Sequence, residues 1–369
     1  MISRVMASFV FSILIITVVV TGSKFSDTEI DQLLKKLNKP AIKSIKSPDG
    51  DIIDCVHINK QPAFDNPLLR NHTIMMRPSV YPEGWNKVSE KQSNMVTQLW
   101  TTKGRCPDNT VPIRRTRRED ILRAESIERF GKRNPNMIYD PSKAANPTAQ
   151  NALNGTHSYA ILAAMNGRFH GAKADINLWK PYLQKRQEFS LSQIWVNAGT
   201  HGVDLNTIEA GWQINHIMIP GAVLNPTSIY GGQQRDFIVY MWKDFHSGAW
   251  WLGINNNIVV GYWPATCFTH LQNGATGVMW GGEVIDEKTG DQHTTTQMGS
   301  GHFPQEGHTK ASYFKNVQVL DETNNLRPVP AQHQTSVTEA HCYNIKLGQD
   351  SSWGSYFFYG GPGRNRMCP

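Results

Sequence analysis

The sequence predicts an all-β protein, an antiparallel β-sandwich preceded by a smaller α+β domain. After residue 155, short β-branched or aromatic runs alternate with Gly, Asn and Pro turns, a pattern typical of sandwiches and barrels. Nine of the 11 tryptophans lie from Trp179 onward. The predicted strands are Tyr159–Leu162, Leu191–Val196, Thr207–Ile214, Asp236–Trp242, Trp250–Ile254, Val278–Val284 and Tyr356–Tyr359.

The N-terminal part carries two predicted helices. The first covers residues 26–38, where Ser26 precedes acidic residues and a spaced set of leucines. The second covers residues 118–130 and follows a run of four arginines. A proline-punctuated stretch follows and predicts a linker. The predicted divisions are a signal peptide (1–23), an N-terminal domain (24–135), a linker (136–154) and the β domain (155–369).

The first residues predict a cleaved secretory signal. Arg4 is followed by an apolar run over residues 5–20 and then by small residues. The alternative is a signal anchor, but the run is marginal for a span of about 20 residues. We therefore expect a secreted protein without stable membrane association.

The charge is divided between the two parts of the chain. The net charge is +7. Residues 1–149 hold 23 Lys/Arg and 15 Asp/Glu, a net of +8, whereas residues 150–369 hold 14 and 15, a net of −1. The basic character belongs to the N-terminal part alone, so the composition argues against nucleic-acid binding by the whole protein.

Secretion would permit disulfides and glycans. There are five cysteines, so at least one is free or paired outside the chain. The sequons at Asn71 and Asn154 are candidate glycosylation sites.

The common cofactor and metal motifs are missing from the sequence. It contains no Gly-x-Ser-x-Gly elbow, no His-Glu-x-x-His and no phosphate-binding glycine loop. The cysteines lack metal-finger spacing, and His302 and His308 are expected to be surface histidines. We predict neither a metal nor a cofactor.

Two glutamates lie in predicted strands with the same pattern. Alternation places Glu209 opposite Ile208, Ala210 and Trp212, and it places Glu283 opposite an apolar set. Each glutamate therefore lies on a face that also carries glycine, which leaves room for a ligand backbone. Two carboxyls in one cleft can act as base and acid on water and a carbonyl. The alternative is that both are ordinary solvent-facing strand residues.

Long motifs give the sequence a family resemblance. It resembles the plant neprosin family of secreted glutamic peptidases, made with an N-terminal activation peptide and a β-sandwich catalytic domain. The shared motifs are residues 51–56 (DIIDCV), 61–65 (QPAFD), 104–115 (GRCPDNTVPIRR), 192–196 (SQIWV), 208–213 (IEAGWQ), 261–264 (GYWP), 280–284 (WGGEV), 295–303 (TTQMGSGHF) and 360–365 (GGPGRN).

The resemblance implies cleavage of peptide bonds after proline at acid pH, with no metal or cofactor. It matches Glu209 and Glu283 to the catalytic pair without assigning acid and base. We expect Trp195, Gln213 and Gln297 to line the substrate cleft. Residues 24–135 would be the inhibitory activation peptide, and the protein would be a monomer in the apoplast, cell wall or vacuole, acting on proline-containing peptides or proteins.

The resemblance also implies two disulfides, Cys55–Cys106 and Cys342–Cys368, with Cys267 left over and unreactive.

One departure from the family pattern is notable. Family members usually carry a further aromatic-rich segment, with a close cysteine pair, after the strand that ends at Gln213. Here Gln213 runs directly into Ile214. An alternative function is therefore a catalytically inactive β-sandwich that binds carbohydrate or cell wall.

Overall fold

A computed structural model describes residues 26–85, 96–122, 127, 130, 157–185, 187–215, 223–255, 258–286 and 292–369. The predicted signal peptide, the predicted linker and Asn154 lie outside the described residues. In the described ranges, no helix is long and apolar enough to cross a bilayer.

The structure is built mostly of strands. Among the described residues, the α-helices are α1 (Asp27–Leu37) and α2 (Arg118–Leu122). The strands are β1 (Ala41–Lys46), β2 (Ile52–His57), β3 (Thr97–Gln98), β4 (Thr110–Arg114), β5 (His157–Phe169), β6 (Gly171–Asn177), β7 (Phe189–Ala198), β8 (Asn206–Asn215), β9 (Leu224–Asn225), β10 (Asp236–Lys243), β11 (Trp250–Ile254), β12 (Ile258–Trp263), β13 (Ala275–Ile285), β14 (Ser312–Leu320), β15 (Leu326–Pro328), β16 (Gln334–Val337), β17 (Asn344–Asp350) and β18 (Gly354–Gly360).

The N-terminal part is a small α+β unit. Helix α1 begins with a capping box in which Ser26 and Glu29 bond each other's backbone amides. Strands β1, β2 and β4 form an antiparallel sheet in that order. The disulfide Cys55–Cys106 lies against this sheet, where Cys55 packs with Trp100.

The basic run before α2 is neutralised within this unit. Arg114 lies 2.9 Å from Asp51 and 3.1 Å from Asp120, and Arg115 lies 2.6 Å from Asp54. Burial acts to raise the pKa of Asp54, but hydrogen bonds from Arg115 and Ser44 and the charge of Arg115 together outweigh it and lower that pKa. These ion pairs thus neutralise much of the positive charge of the run within the N-terminal unit.

The C-terminal part is an antiparallel β-sandwich. One sheet has five strands in the order β16-β5-β13-β7-β8, and the other has eight, ordered β12-β11-β10-β6-β14-β18-β17 with β15 beside β14. Their inner faces share one hydrophobic core that includes Ile194, Trp280, Met241 and Phe314. The second disulfide, Cys342–Cys368, joins the C-terminal residues to this core.

The N-terminal part packs on the outer face of the eight-stranded sheet. The ring of Trp85 lies 5.3 Å from that of Trp242 and 5.6 Å from that of Tyr240. The Trp242 indole donates to the carbonyl of Val80 at 3.0 Å. Two further contacts come from Ser79, whose backbone amide and hydroxyl both donate to the carboxylate of Asp244.

The predicted fold class is confirmed. All seven predicted strands lie inside observed strands, and the helix predicted over residues 26–38 is α1. The helix predicted over residues 118–130 is observed as the shorter α2, and residues 123–126 and 128–129 fall outside the described part. Both implied disulfides are present.

Candidate active site

Glu209 and Glu283 lie on the same face of the five-stranded sheet. Residues paired across antiparallel strands share a face, as do residues two or four apart on one strand. Trp195 on β7 pairs with both Glu209 and Met279, and Met279 is four residues before Glu283. We call this side, which carries Glu209, Gln193 and Glu283, the glutamate face. The residues Ile208, Val278, Trp280 and Val284 lie on the core side, as the alternation predicted.

The two glutamates are not adjacent on this face. They are two strands and four residues apart, so their Cα atoms are roughly 16 Å from each other. Gln193 lies at the midpoint, on the intervening strand and in the intervening row, paired with Gly281 and Gly211. Both strand partners of Gln193 are glycines, so neither adds a side chain to the glutamate face at this position.

Glu283 is held by two residues of β5. Its side chain is completely buried. His157 Nδ1 lies 2.6 Å from Glu283 Oε1, and the Tyr159 hydroxyl donates to the same oxygen at 3.1 Å. A buried carboxylate needs such partners because it has lost its contact with water. Sequence reasoning missed both residues, which are 126 and 124 positions away in the chain.

Glu209 lies in a more open setting. Gln193 Nε2 donates to Glu209 Oε2 at 2.8 Å. A cavity of about 780 Å³ lies beside β8 between the sandwich and the N-terminal unit. Its lining includes Glu209, Trp212 and Gln213 on one side and Trp100, Pro112, Ile113, Arg114 and Phe130 on the other. The N-terminal unit therefore faces one of the two glutamates directly.

The other predicted cleft residues are distributed unevenly. Trp195 is on the glutamate face but only 2% exposed, where it packs with buried residues including Tyr159 and Met279. Gln213 lines the cavity. Gln297 lies in the segment after β13, where its side chain accepts from the Tyr182 amide at 2.9 Å. None of its described contacts is with a glutamate. The cleft role of all three remains a prediction.

The remaining predicted site residues are located as follows. Asn71 is exposed, as a glycan acceptor must be. Cys267 is a partly buried free thiol, and burial raises its pKa. In the described ranges the tightest group of possible metal ligands is His293 with Cys342 and Cys368, beside a cavity of about 560 Å³. Both of those sulfurs are bound in the disulfide and offer no thiolate.

Two family models match the chain. The model described as neprosin activation peptide matches residues 44–163. The model described as neprosin matches residues 186–219 and 213–362, two segments that overlap at residues 213–219. The activation-peptide match runs into β5, beyond the boundary predicted at residue 135. An activation peptide that precedes a β-rich domain is the organisation of an inhibited precursor. The chain therefore belongs to the neprosin family and is a zymogen peptidase of the neprosin type.

Proposed function

We propose that this protein is a glutamic endopeptidase that hydrolyses the peptide bond after proline at acid pH. The observation that carries the proposal is the position of Glu209 and Glu283 on one face, on either side of Gln193. An extended substrate lying over Gln193 would present its carbonyl to both carboxyls. Substrate binding has to bring the reacting groups closer than the roughly 16 Å between the Cα atoms.

The reaction needs one carboxylate and one carboxylic acid. The carboxylate takes a proton from water while the water oxygen attacks the carbonyl carbon of proline. The acid then gives its proton to the leaving amine as the C–N bond breaks. Acid pH suits this division because it maintains one of the two carboxyls in the protonated state.

The first test replaces each glutamate by glutamine. In Glu209→Gln and Glu283→Gln we expect kcat to fall by about 10²–10⁴-fold, because a proton donor or acceptor is lost from the reaction. The measurement is cleavage at acid pH of a proline-containing peptide and of its alanine counterpart. Glu322→Gln, a half-exposed glutamate in an ion pair with Arg168, is the control. Full activity in either site variant would contradict the proposal.

Residues 24–135 would act as the intramolecular inhibitor. They line one side of the cavity beside Glu209. They also contact the outer face of the eight-stranded sheet through Trp85 and Ser79. The precursor would be secreted as a monomer to the apoplast, cell wall or vacuole and would need no metal or cofactor. Its substrates would be proline-containing peptides or proteins.

A second candidate is a catalytically inactive sandwich that binds carbohydrate or cell wall. It is favoured by one observation, the division of the family match at the end of β8, the strand that carries Glu209. The same variants separate the two candidates. Retention on cell-wall polysaccharide by the wild type and both glutamine variants, with no hydrolysis by the wild type, would support this candidate.

A further inference from the structure

One short segment of the N-terminal part enters the sandwich itself. Val96 is only 4% exposed and belongs to the hydrophobic core that the two sheets share, on which Leu224 of β9 also packs. The next two residues form β3, which pairs with β9 in an antiparallel register. The amide of Leu99 then donates to the carbonyl of Val223 at 2.9 Å. We call residues 96–99 the inserted segment.

The inserted segment lies beside one of the two glutamates. Gln98, Leu224 and Glu209 all line the cavity of about 780 Å³. The side chain of Gln98 accepts from the indole of Trp100 at 2.8 Å, and Trp100 packs in the core of the N-terminal unit. The segment is therefore held at one end by the sandwich core and at the other end by its own unit.

Strand β9 takes its pairing from the inserted segment. In the described part of the chain, the sheet that contains β9 has β3 as its only other strand. Departure of the N-terminal unit would leave β9 without a strand partner and would open an apolar pocket where Val96 now lies. An extended peptide can bind such an edge through its main chain, while pockets for alternate side chains select its sequence.

The inserted segment also lacks the residue that the proposed activity requires. Residues 83–106 contain no proline, and the prolines on either side of them are Pro82 and Pro107. A strand of this kind can occupy the substrate cleft of a peptidase that cuts after proline and remain intact.

We propose that the edge of β9 and the pocket around Val96 form a substrate-binding subsite, which the inserted segment fills in the precursor as an uncleavable mimic. This inference rests on the proposed peptidase function. The ligand of the subsite is an extended peptide that runs antiparallel to β9. It donates a backbone amide to the carbonyl of Val223 and places a small apolar side chain in the pocket.

A labelled peptide with the sequence of residues 96–103 tests the subsite on the full precursor. At neutral pH the wild type should not bind the peptide, because its own segment fills the subsite. Val96→Asp should bind it, since a carboxylate is costly to bury and the segment leaves the core. Val203→Asp, at a valine that is 80% exposed, is the matched control and should not bind it. Fluorescence anisotropy measures binding, and thermal unfolding checks that each variant is folded.

A second variant acts on the backbone and leaves Val96 in place. Leu99→Pro removes the amide that donates to Val223. Proline fits at this position because Gln98 before it is extended, with φ −73° and ψ 128°, and because residue 99 begins a short 3₁₀ helix. Leu99→Pro should therefore also bind the peptide. Absence of binding by both variants, when either one is folded, overturns the proposal.

The peptide itself carries two further controls. N-methylation of its leucine nitrogen should weaken binding to Val96→Asp roughly tenfold, because one hydrogen bond to β9 is lost. Aspartate in place of its valine should weaken binding roughly 100-fold, because the pocket is apolar. Equal binding of the N-methylated and unmodified peptides would overturn the pairing with β9.

Activity separates failure of the subsite from failure of the proposed function. In the wild type activated in acid, the peptide should raise the KM for a proline-containing substrate without lowering kcat, and it should remain uncut. If the wild type cleaves nothing but Val96→Asp binds the peptide, the peptidase function fails and the binding site stands. If cleavage occurs and the peptide leaves KM unchanged, the subsite fails.

Discussion

At the scale of single residues, Asp175 is the buried carboxyl with the clearest effect on pH behaviour. It lies on β6, 6% exposed, and accepts from Asn316 at 2.8 Å through one oxygen. Its other oxygen has no hydrogen-bond partner in the part of the chain that the structure describes. Burial raises the pKa of Asp175 to about 6, and the nearby Lys173 and Lys315 only partly offset this effect. The native state therefore favours the protonated carboxyl.

This gives a prediction for stability against pH. Because the folded pKa lies above the ordinary value of 3.8, the stabilisation is complete below pH 3.8 and is lost as the pH rises through about 6. The difference is ~3 kcal/mol in the free energy of unfolding. Asp175→Asn should remove this slope in urea unfolding measured between pH 4 and 6.5, whereas Glu322→Gln should retain it. A slope that survives in Asp175→Asn would contradict the assignment.

At the scale of elements, the contact between β11 and the N-terminal unit depends on a glycine. A Cβ at Gly253 would lie 2.4 Å from the ring of Trp85. Because Gly253 has no side chain, Trp85 can approach Trp242 and residues 75–85 can pack on the sheet. On the neighbouring strand β12, a Cβ at Gly261 would meet nothing within 4 Å.

The two glycines form a matched pair for experiment. Gly253→Ala should displace Trp85 and raise the amide hydrogen-exchange rate of residues 75–85, because the ring no longer packs against the sheet. Gly261→Ala should leave that exchange unchanged. Mass spectrometry of the exchanged full chain gives the measurement. Equal exchange in both variants would show that Trp85 does not depend on Gly253.

How much of these elements could be predicted depends on the side chains that form them. The strand around Trp280 was predicted because aromatic and β-branched residues mark it. Strand β6 was missed because alanines fill its core side, and alanine is no strand former. Strand β14 was missed because a register shift between Lys315 and Gln318 interrupts its alternation.

The site was predictable only in part for a related reason. Alternation along β8 and β13 is local, so the faces of Glu209 and Glu283 followed from the sequence. The partners of the carboxylates depend on which strands pair and in which register. His157 reaches Glu283 only because β5 lies beside β13 in the sheet. That pairing joins residues more than a hundred positions apart, and nothing in the local pattern specifies it.

At the scale of the whole molecule, Asp175 and Asp286, two buried carboxyls of the sandwich, differ in the direction of their pKa shifts from Asp54 and Asp244. Burial raises the pKa of Asp175 and of Asp286 inside the sandwich. The pKa of Asp54 in the N-terminal unit is lowered. So is that of Asp244 at the contact between the two parts, where bonds from Ser79 and nearby amides outweigh the effect of burial. Acid therefore favours the protonated forms of Asp175 and Asp286 in the sandwich and weakens the contact through Asp244.

The contact through Asp244 can be tested directly. Its lowered pKa means that its stabilisation is present above 3.8 and is lost as the pH falls below that value. Asp244→Asn should loosen residues 79–82 at pH 6, so that their hydrogen exchange resembles that of the wild type in acid after correction for the intrinsic rate. Ser79→Ala, which retains the backbone donor, should have a smaller effect. Wild-type protection in Asp244→Asn at pH 6 would refute the prediction.

The disulfide Cys55–Cys106 has a consequence for how the precursor can be taken apart. It closes a loop of 51 positions that includes β3, the strand that pairs with β9 of the sandwich. A protease that nicks the chain anywhere between the two cysteines leaves both fragments tied together, still anchored on either side of the nick. Only a cut after Cys106 separates the disulfide-linked part from the sandwich, and a cut beyond α2 releases the N-terminal unit with all of its strands and helices. Gels run without reductant would show a single N-terminal piece even from a precursor nicked once between the two cysteines.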